Sequence, residues 1–354
     1  MTSPTLPNTI FVGKAGSGIC WYRCTLPAMA LDLDWISAAG DPPHAAVSTG
    51  LTKRPVGMAD LASYEVVILQ QPFAPGWRQV IRDLQDAGTT VLFEIDDYVH
   101  AVRKMDSHEL QGYFTKELLR SADVNMRLAD GVICSTPYLA RQYASLNQNI
   151  WVCTNGLDLA RYDLEPPRRS GVTIGWAGGI GHDEAMRSWL PTVAEVLRLR
   201  PQARFATVGV PFAQLLEKEF GPERCQSVPG APLEMYPAAM TRFDISIAPS
   251  AHNKLYRGKS DLRWLEASAL GIPAVCDPFT YADVEDGVTG FHARTTDELR
   301  ETLLRLIDDP ALRRRVGESA REHVRTQRSA TVAAQQWAHV LREVAQSRAV
   351  AATA

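Results

Sequence analysis

The feature that most narrows the choice of fold is a pattern used twice. Short apolar runs alternate with longer segments whose apolar residues recur at helical spacing, first before residue 165 and again after residue 171. In the first half the runs Thr9–Val12, Val66–Gln70, Thr90–Ile95, Gly131–Cys134 and Ile150–Cys153 read as strands, with helices near 22–31, 76–87, 108–128 and 137–145. Strands that are apolar throughout, separated by helices, fit a parallel sheet covered on both faces. The stretch Glu165-Pro-Pro-Arg-Arg-Ser-Gly171 breaks the pattern, because paired prolines continue neither a helix nor a central strand.

The second half restarts with strands Val172–Ala177, Arg204–Val208, Phe243–Ala248 and Pro273–Cys276, and helices near 183–199, 212–220 and 261–270. Helices near 296–308 and 310–326 follow, then an amphipathic one carrying Val332, Trp337, Val340, Leu341 and Val344. The expectation is an α/β chain of two Rossmann-like domains facing a cleft: 1–164, a linker at 165–171, and 172–328. A C-terminal helix over 329–354 would pack back on the first domain, and its tail would fray from Ser347.

No run approaches the ~20 apolar residues of a spanning helix, and Met1-Thr-Ser-Pro lacks the basic and apolar regions of a signal peptide. A cytoplasmic protein without membrane insertion is expected. The six cysteines show neither zinc-ligand spacing nor a disulfide framework. The first 164 residues hold 13 basic and 17 acidic side chains, which argues against a long nucleic acid as main partner.

Ligands of open α/β sheets bind beyond the carboxyl ends of the strands, so the residues there are the candidate contacts. The turn Gly13-Lys-Ala-Gly16-Ser17-Gly18 is neither a P-loop nor G-x-G-x-x-G. It is a tight turn, or a place where a phosphate or sugar approaches backbone N–H groups. Gly178-Gly179-Ile-Gly181-His182-Asp183 precedes a helix and would present amides to a diphosphate, with His182 as a further donor or a cap. The densest stretch runs from His252-Asn253 through Arg257-Gly258-Lys259-Ser260-Asp261 and Arg263 to Glu266, ending at Gly271-Ile-Pro273. Ser260 or Asp261 would cap its helix. Glu266 lies beside apolar Leu262, Ala269 and Leu270, so its carboxylate needs a neighbouring Arg or a pair of ligand hydroxyls. In Phe93-Glu94-Ile-Asp96-Asp97-Tyr98-Val-His100, charge crowds a strand end. Asp96, Asp97 and His100 are the candidate catalytic or acceptor contacts, against a metal pair Glu94/Asp96 and against plain helix capping. Trp21, Tyr22 and Arg23 would line the acceptor pocket or belong to the core.

At these motifs the chain resembles the GT-B glycosyltransferases, within them the retaining family 4. The resemblance rests on the first glycine turn, Asn155-Gly156-Leu-Asp158, the Gly178–Gly181 turn and, most specifically, Lys259-Ser-x-Leu-Arg-x-x-Glu-Ala with Gly271-Ile-Pro273. It implies a nucleotide-sugar donor as co-substrate, no cofactor or metal, and retention at the anomeric centre. The donor site would comprise Gly16, Ser17 and Gly18, Gly179, Gly181 and His182, and Asn253, Arg257, Lys259, Arg263 and Glu266. Glu266 would take the ribose hydroxyls and the cations would balance the diphosphate. The acceptor stays open among glycans, metabolites, lipid-linked carriers, proteins and modified nucleobases. The chain departs from the family at Gly258, where Glu-x7-Glu has its first carboxylate, and at 177–183, which lack the usual Arg and Lys. Rival readings are a nucleotide-sugar epimerase, a sugar-nucleotide binding protein without turnover, and a nicotinamide-dependent oxidoreductase. Against the last stand the missing G-x-G-x-x-G and the absence of an acidic residue at Ala46-Val47-Ser48, taken as the end of the second strand.

Overall fold

The computed structural model describes residues 5–14, 18–38, 58–104, 108–165, 170–179 and 181–353. Gly16, Ser17, Ala46–Ser48 and linker residues 166–169 lie outside them. The chain forms two compact units: Met1–Gly156 with Gly258–Ser260 and Ala330–Ala354, and Leu157–Arg257 with Asp261–Ser329. This first stretch of the first unit therefore ends nine residues before Glu165, where the sequence pattern breaks. Leu157 already belongs to the second, where its N–H donates to Arg328 O at 2.9 Å.

The first unit holds β1 (Thr9–Lys14), β2 (Asp34–Ala38), β3 (Val66–Gln70), β4 (Thr90–Ile95), β5 (Gly131–Cys134) and β6 (Ile150–Val152), in spatial order β2-β1-β3-β4-β5-β6 and parallel throughout. Alternate residues face opposite layers. Ile10, Val67 and Val91 pack on Trp77, Ile81 and Leu84 of the helix Trp77–Asp86. Phe11, Ile68 and Leu92 pack on Cys24 and Ala28, and on Trp337 and Leu341 of the C-terminal helix. That last helix, Ala330–Thr353, does not fray at Ser347. Beyond that point Arg348 Nη1 donates to Glu65 O (2.6 Å) and Thr90 Oγ1 (2.9 Å) and holds it on the unit.

The second unit holds β7 (Val172–Gly178), β8 (Ala203–Gly209), β9 (Cys225–Val228), β10 (Ile245–Ala248), β11 (Ala274–Cys276) and β12 (Phe291–His292), in order β12-β11-β10-β7-β8-β9, again all parallel. Ile174, Phe205, Ile245 and Ile247 form its core with Met186, Val193 and Leu197 of the helix Asp183–Leu199 and with Leu299 and Leu303 of the helix Thr296–Asp308.

Three strands escape the sequence pattern: β2, β9 and β12. All three are sheet edges, where partial exposure dilutes the apolar run that marks a central strand. The second strand is thus Asp34–Ala38 and ends well before Ala46-Val47-Ser48. Asp32, at φ 56°, ends the helix Leu26–Leu31 just ahead of it. The segment read as one helix over 108–128 is two, His108–Tyr113 and Lys116–Leu128, because Thr115 Oγ1 accepts from Leu118 N (3.1 Å) and starts the second.

Central β7 leaves no room at Gly175, where a Cβ would lie 2.0 Å from Phe243 Cγ. Gly175→Ala should therefore lower stability by about 1–3 kcal/mol through overpacking. A urea midpoint matching the parent's would contradict this account of the second core.

Candidate functional site

In each sheet the strand order reverses once beside its first strand, between β1 and β3 in the first unit and between β7 and β10 in the second. Such switch points open a crevice at the carboxyl ends of the strands.

In the second unit the β7 end leads through Gly178 and Gly179 to Gly181, at φ 96°, and into the 17-residue helix Asp183–Leu199. Gly179 is exposed, and a Cβ there would meet nothing within 4 Å, so its peptide is open to a ligand. His182 occupies the N-cap position without capping through its side chain. Its Nδ1 lies 3.1 Å from Tyr256 Oη, and that hydroxyl also lies 3.1 Å from Gly181 O as a donor. Tyr256, buried on the short helix Lys254–Gly258, thus binds the β10 side of the switch point to the glycine turn. Asn253 Oδ1 accepts from Tyr256 N (3.1 Å), which makes it the cap of that short helix. Arg257 is exposed, with its guanidinium 5.0 Å from the Phe279 ring centre.

Arg263 and Glu266 sit on the helix Leu262–Ala269. Arg263 is buried: Nε donates to Ala177 O (2.9 Å), Nη1 donates to Tyr281 Oη (3.0 Å), and the guanidinium lies 5.3 Å from the Trp176 ring centre. Two of its donors are therefore committed to protein atoms, and it braces the β7 end. Glu266 is 6% exposed and accepts from Tyr236 Oη at 3.4 Å. Burial, and then the Glu266 charge, push the Tyr236 phenol well above its ordinary value, so it stays a donor. Asp261 does not cap the helix with its side chain, because Arg328 takes both its oxygens at 2.6 and 2.7 Å.

The first unit is organised by a buried ion pair. Arg23 (1% exposed) lies in a π-helical turn, Trp21–Thr25, and its Nε donates to Glu94 Oε1 (0% exposed) at 2.6 Å. Arg23 Nη1 donates to Cys153 O (2.5 Å) and Asn155 Oδ1 (2.9 Å), and the Trp337 ring centre lies 5.0 Å away. Tyr22 and Arg23 therefore belong to the core. Glu94 Oε1 is committed to that pair.

Asp96 and Asp97 follow β4 and are half-buried. Gln71 Nε2 donates to Asp96 Oδ1 (2.5 Å), and Ser135 Oγ donates to Asp96 O (3.0 Å). Lys259 Nζ reaches Asp97 Oδ2 at 3.2 Å and Oδ1 at 3.3 Å. Lys259, expected at the diphosphate, thus stands in the first unit against a carboxylate expected at the acceptor. His100 does not join these carboxylates; its Nε2 is 2.8 Å from Asp123 Oδ1 on the helix Lys116–Leu128. Gly258 is packed so closely that a Cβ would meet Leu139 Cδ2 at 2.9 Å and Tyr98 Cβ at 3.2 Å, so a Glu cannot be accommodated there without displacement. Gly18 opens the helical segment behind β1 with free space around it.

Burial pushes the Asp96 carboxyl up to about 7; the neighbouring Asp97 and Glu94 charges add to this, while Arg23 and Lys259 oppose it. Sequence reading missed Tyr256, Tyr236 and the Arg23–Glu94 pairing. Only the side-by-side charges at 94–97 and an Arg among apolar residues signalled the last.

Residues 187–339 match the family described as Glycosyl transferase-like. A 2-deoxystreptamine glucosyltransferase from Streptomyces kanamyceticus is 26% identical over 152 residues, spanning 41% of this chain and 38% of that protein. The matched part is thus well under half the length of that curated relative. The fold is shared with Anabaena HepE, solved with UDP and glucose, at TM-score 0.67 and 16% identity over 95% of this chain and 99% of that one. It is also shared with sucrose-phosphate synthase from Thermosynechococcus elongatus, at TM-score 0.67 and 15% identity over 96% and 99%. The chain has the GT-B fold seen in these glycosyltransferase structures. No helix among the described residues is long and apolar enough to cross a membrane.

The raised Asp96 carboxyl fixes a sign for stability. Its proton is bound more tightly in the folded chain than in the unfolded one, so its contribution is complete below the unfolded value near 3.8 and is lost as pH rises through about 7. Asp96→Asn should therefore raise the melting temperature relative to the parent more at pH 8 than at pH 5. An equal or opposite difference at the two pH values would contradict the assigned environment.

Proposed function

We propose that this protein is a glycosyltransferase that moves a sugar from a nucleoside-diphosphate donor to an acceptor hydroxyl, with retention at the anomeric carbon. The observation that carries the reading is the open glycine turn at the β7–β10 switch point. An exposed peptide at Gly179 leads into the positive end of a 17-residue helix, in the same unit as the buried Glu266 carboxylate. The amides of Gly179, Gly181 and His182 and the helix end would take the diphosphate, and charge growing on the leaving group would meet donors already in place. Glu266 would accept from the ribose hydroxyls, with Tyr236 holding its other side. Arg257, exposed beside Phe279, is a cation of the second unit that would meet the donor's negative charge.

The first unit would supply the acceptor side through Asp96 and Asp97. In this reading the cations of the chain and the helix end take the part a metal ion plays in other transferases, so turnover should survive EDTA. The likeness in fold to a protein solved with UDP and glucose makes UDP-glucose the first donor to try.

A thermal-shift series over UDP-, GDP-, dTDP- and ADP-sugars should find one donor that raises the melting temperature, since a ligand of the folded state stabilises it. Glu266→Ala should abolish that shift and lower kcat/KM about 100-fold, the value of charge-assisted hydrogen bonds to two hydroxyls. Unchanged donor affinity and turnover in a folded Glu266→Ala protein would overturn the donor assignment.

A further inference from the structure

Two thiols meet beside Gly13 near the end of β1. A Cβ on Gly13 would lie 2.2 Å from Cys20 Sγ and 3.3 Å from Cys24 Sγ, so this glycine leaves the space that the two sulfurs share. Both cysteines are unbridged and buried, Cys20 at 5% and Cys24 at 0% exposure. The Cys24 side chain is hydrogen-bonded to Cys20, as are the hydroxyls of Thr25, in the same π-helical turn, and of Ser37, the register partner of Gly13 on β2. Three side-chain donors thus converge on one sulfur. They hold the Cys20 thiol below its ordinary value, the Cys24 contact foremost, with burial opposing them. The other five cysteines go the other way. Burial pushes Cys134 and Cys153 up to about 12 and Cys225 up to about 11, and it raises Cys24 and Cys276 as well. A sulfur favoured as the thiolate, with a second thiol against it, is the arrangement of an attacking and a resolving cysteine.

We propose that Cys20 and Cys24 are a reversible oxidation site, at which a hydroperoxide oxidises Cys20 and Cys24 then closes a disulfide with it. The inference stands apart from the transferase reading and survives its failure. In the first step the Cys20 thiolate forms a bond to one peroxide oxygen as the O–O bond breaks. The other oxygen leaves with the electron pair and takes a proton from water, and Cys20 becomes a sulfenic acid. In the second step the Cys24 sulfur bonds to the Cys20 sulfur, the S–O bond breaks, and the departing oxygen takes the Cys24 proton and leaves as water. Two thiols are oxidised and one hydroperoxide is reduced. Residues four apart on a helix have Cβ atoms about 5–6 Å apart, wider than the roughly 3.5–4.5 Å of a relaxed disulfide, so the bond must draw the π-helical turn together. A disulfide closed under strain is readily reduced, which makes the pair a switch and not a staple. Arg23 lies inside that turn, so the oxidised state also bears on the Arg23–Glu94 pair.

The test treats the folded full chain with hydrogen peroxide, blocks remaining thiols with iodoacetamide and digests with trypsin in the absence of reductant. Trypsin cuts after Arg23, between the two cysteines, so fragments 15–23 and 24–53 stay joined only where the Cys20–Cys24 bond has formed. The joined species should appear, weigh about 2 Da less than its two fragments together, and separate on adding dithiothreitol. Thiols counted in the denatured protein should fall from six to about four. Cys24→Ala should halt the reaction at the sulfenic acid, which dimedone then labels on Cys20. In Cys20→Ser the remaining thiols should be lost about 10-fold more slowly than Cys20 is in the parent. Fragments that never join overturn the proposal, as does a bond to any other cysteine. An undiminished rate of thiol loss in Cys20→Ser overturns it too. Where a variant fails to fold, the fragment map of the parent decides by itself. Turnover with any donor bears on the transferase reading and leaves this one untouched.

Discussion

The Arg23–Glu94 pair is the contact on which the arrangement of the first unit depends. An ion pair this deeply enclosed gains little net stability, because taking both charges out of water costs about as much as their attraction returns. What it supplies is placement. Its partners come from the π-helical turn, from β4, from the residues after β6 and, through Asn155, from Ser260. Removing one partner would strand the other charge in the core, at a cost of about 3–5 kcal/mol. Four distant stretches of chain are thus held in one register.

The second unit solves a similar problem with a different arginine. Arg263 comes from a helix, lies on the Trp176 ring and donates to Ala177 O at the end of β7 and to Tyr281 after β11. In both units a buried guanidinium, with its several donors in a rigid plane, fastens the carboxyl ends of strands that a parallel sheet leaves with unpaired carbonyl groups. The open peptide at Gly179 and the carboxyls at 96 and 97 stand on backbone fixed in this way. A site built on such ends needs its supports preorganised, since a displacement of about 1 Å already weakens electrostatic stabilisation of a transition state.

Much of this was legible in the sequence, and the gaps have physical causes. Central strands such as Val66–Gln70 and Thr90–Ile95 announce themselves because both faces are buried, whereas the edges β2, β9 and β12 are only partly covered and lose the signal. The glycine turns and the block from Lys259 to Pro273 stood out as dense local chemistry. What pattern reading could not supply was partnership. Arg263, expected at the diphosphate, donates to Ala177 O; His100, expected beside Asp96 and Asp97, meets Asp123; and Lys259, expected to balance diphosphate charge, meets Asp97.

The sequence by itself determined two parallel α/β sheets, their central strands, the glycine turns and the identity of the charged residues at the strand ends, because these follow from periodicity and local backbone preference within a few residues. Tertiary structure alone decided which charge faces which. Arg23 and Glu94 stand 71 positions apart, and Asp97 and Lys259 stand 162 apart. No local pattern encodes such a pairing: it is set by which strand ends the parallel sheet brings side by side, and by the cost of leaving a buried charge alone.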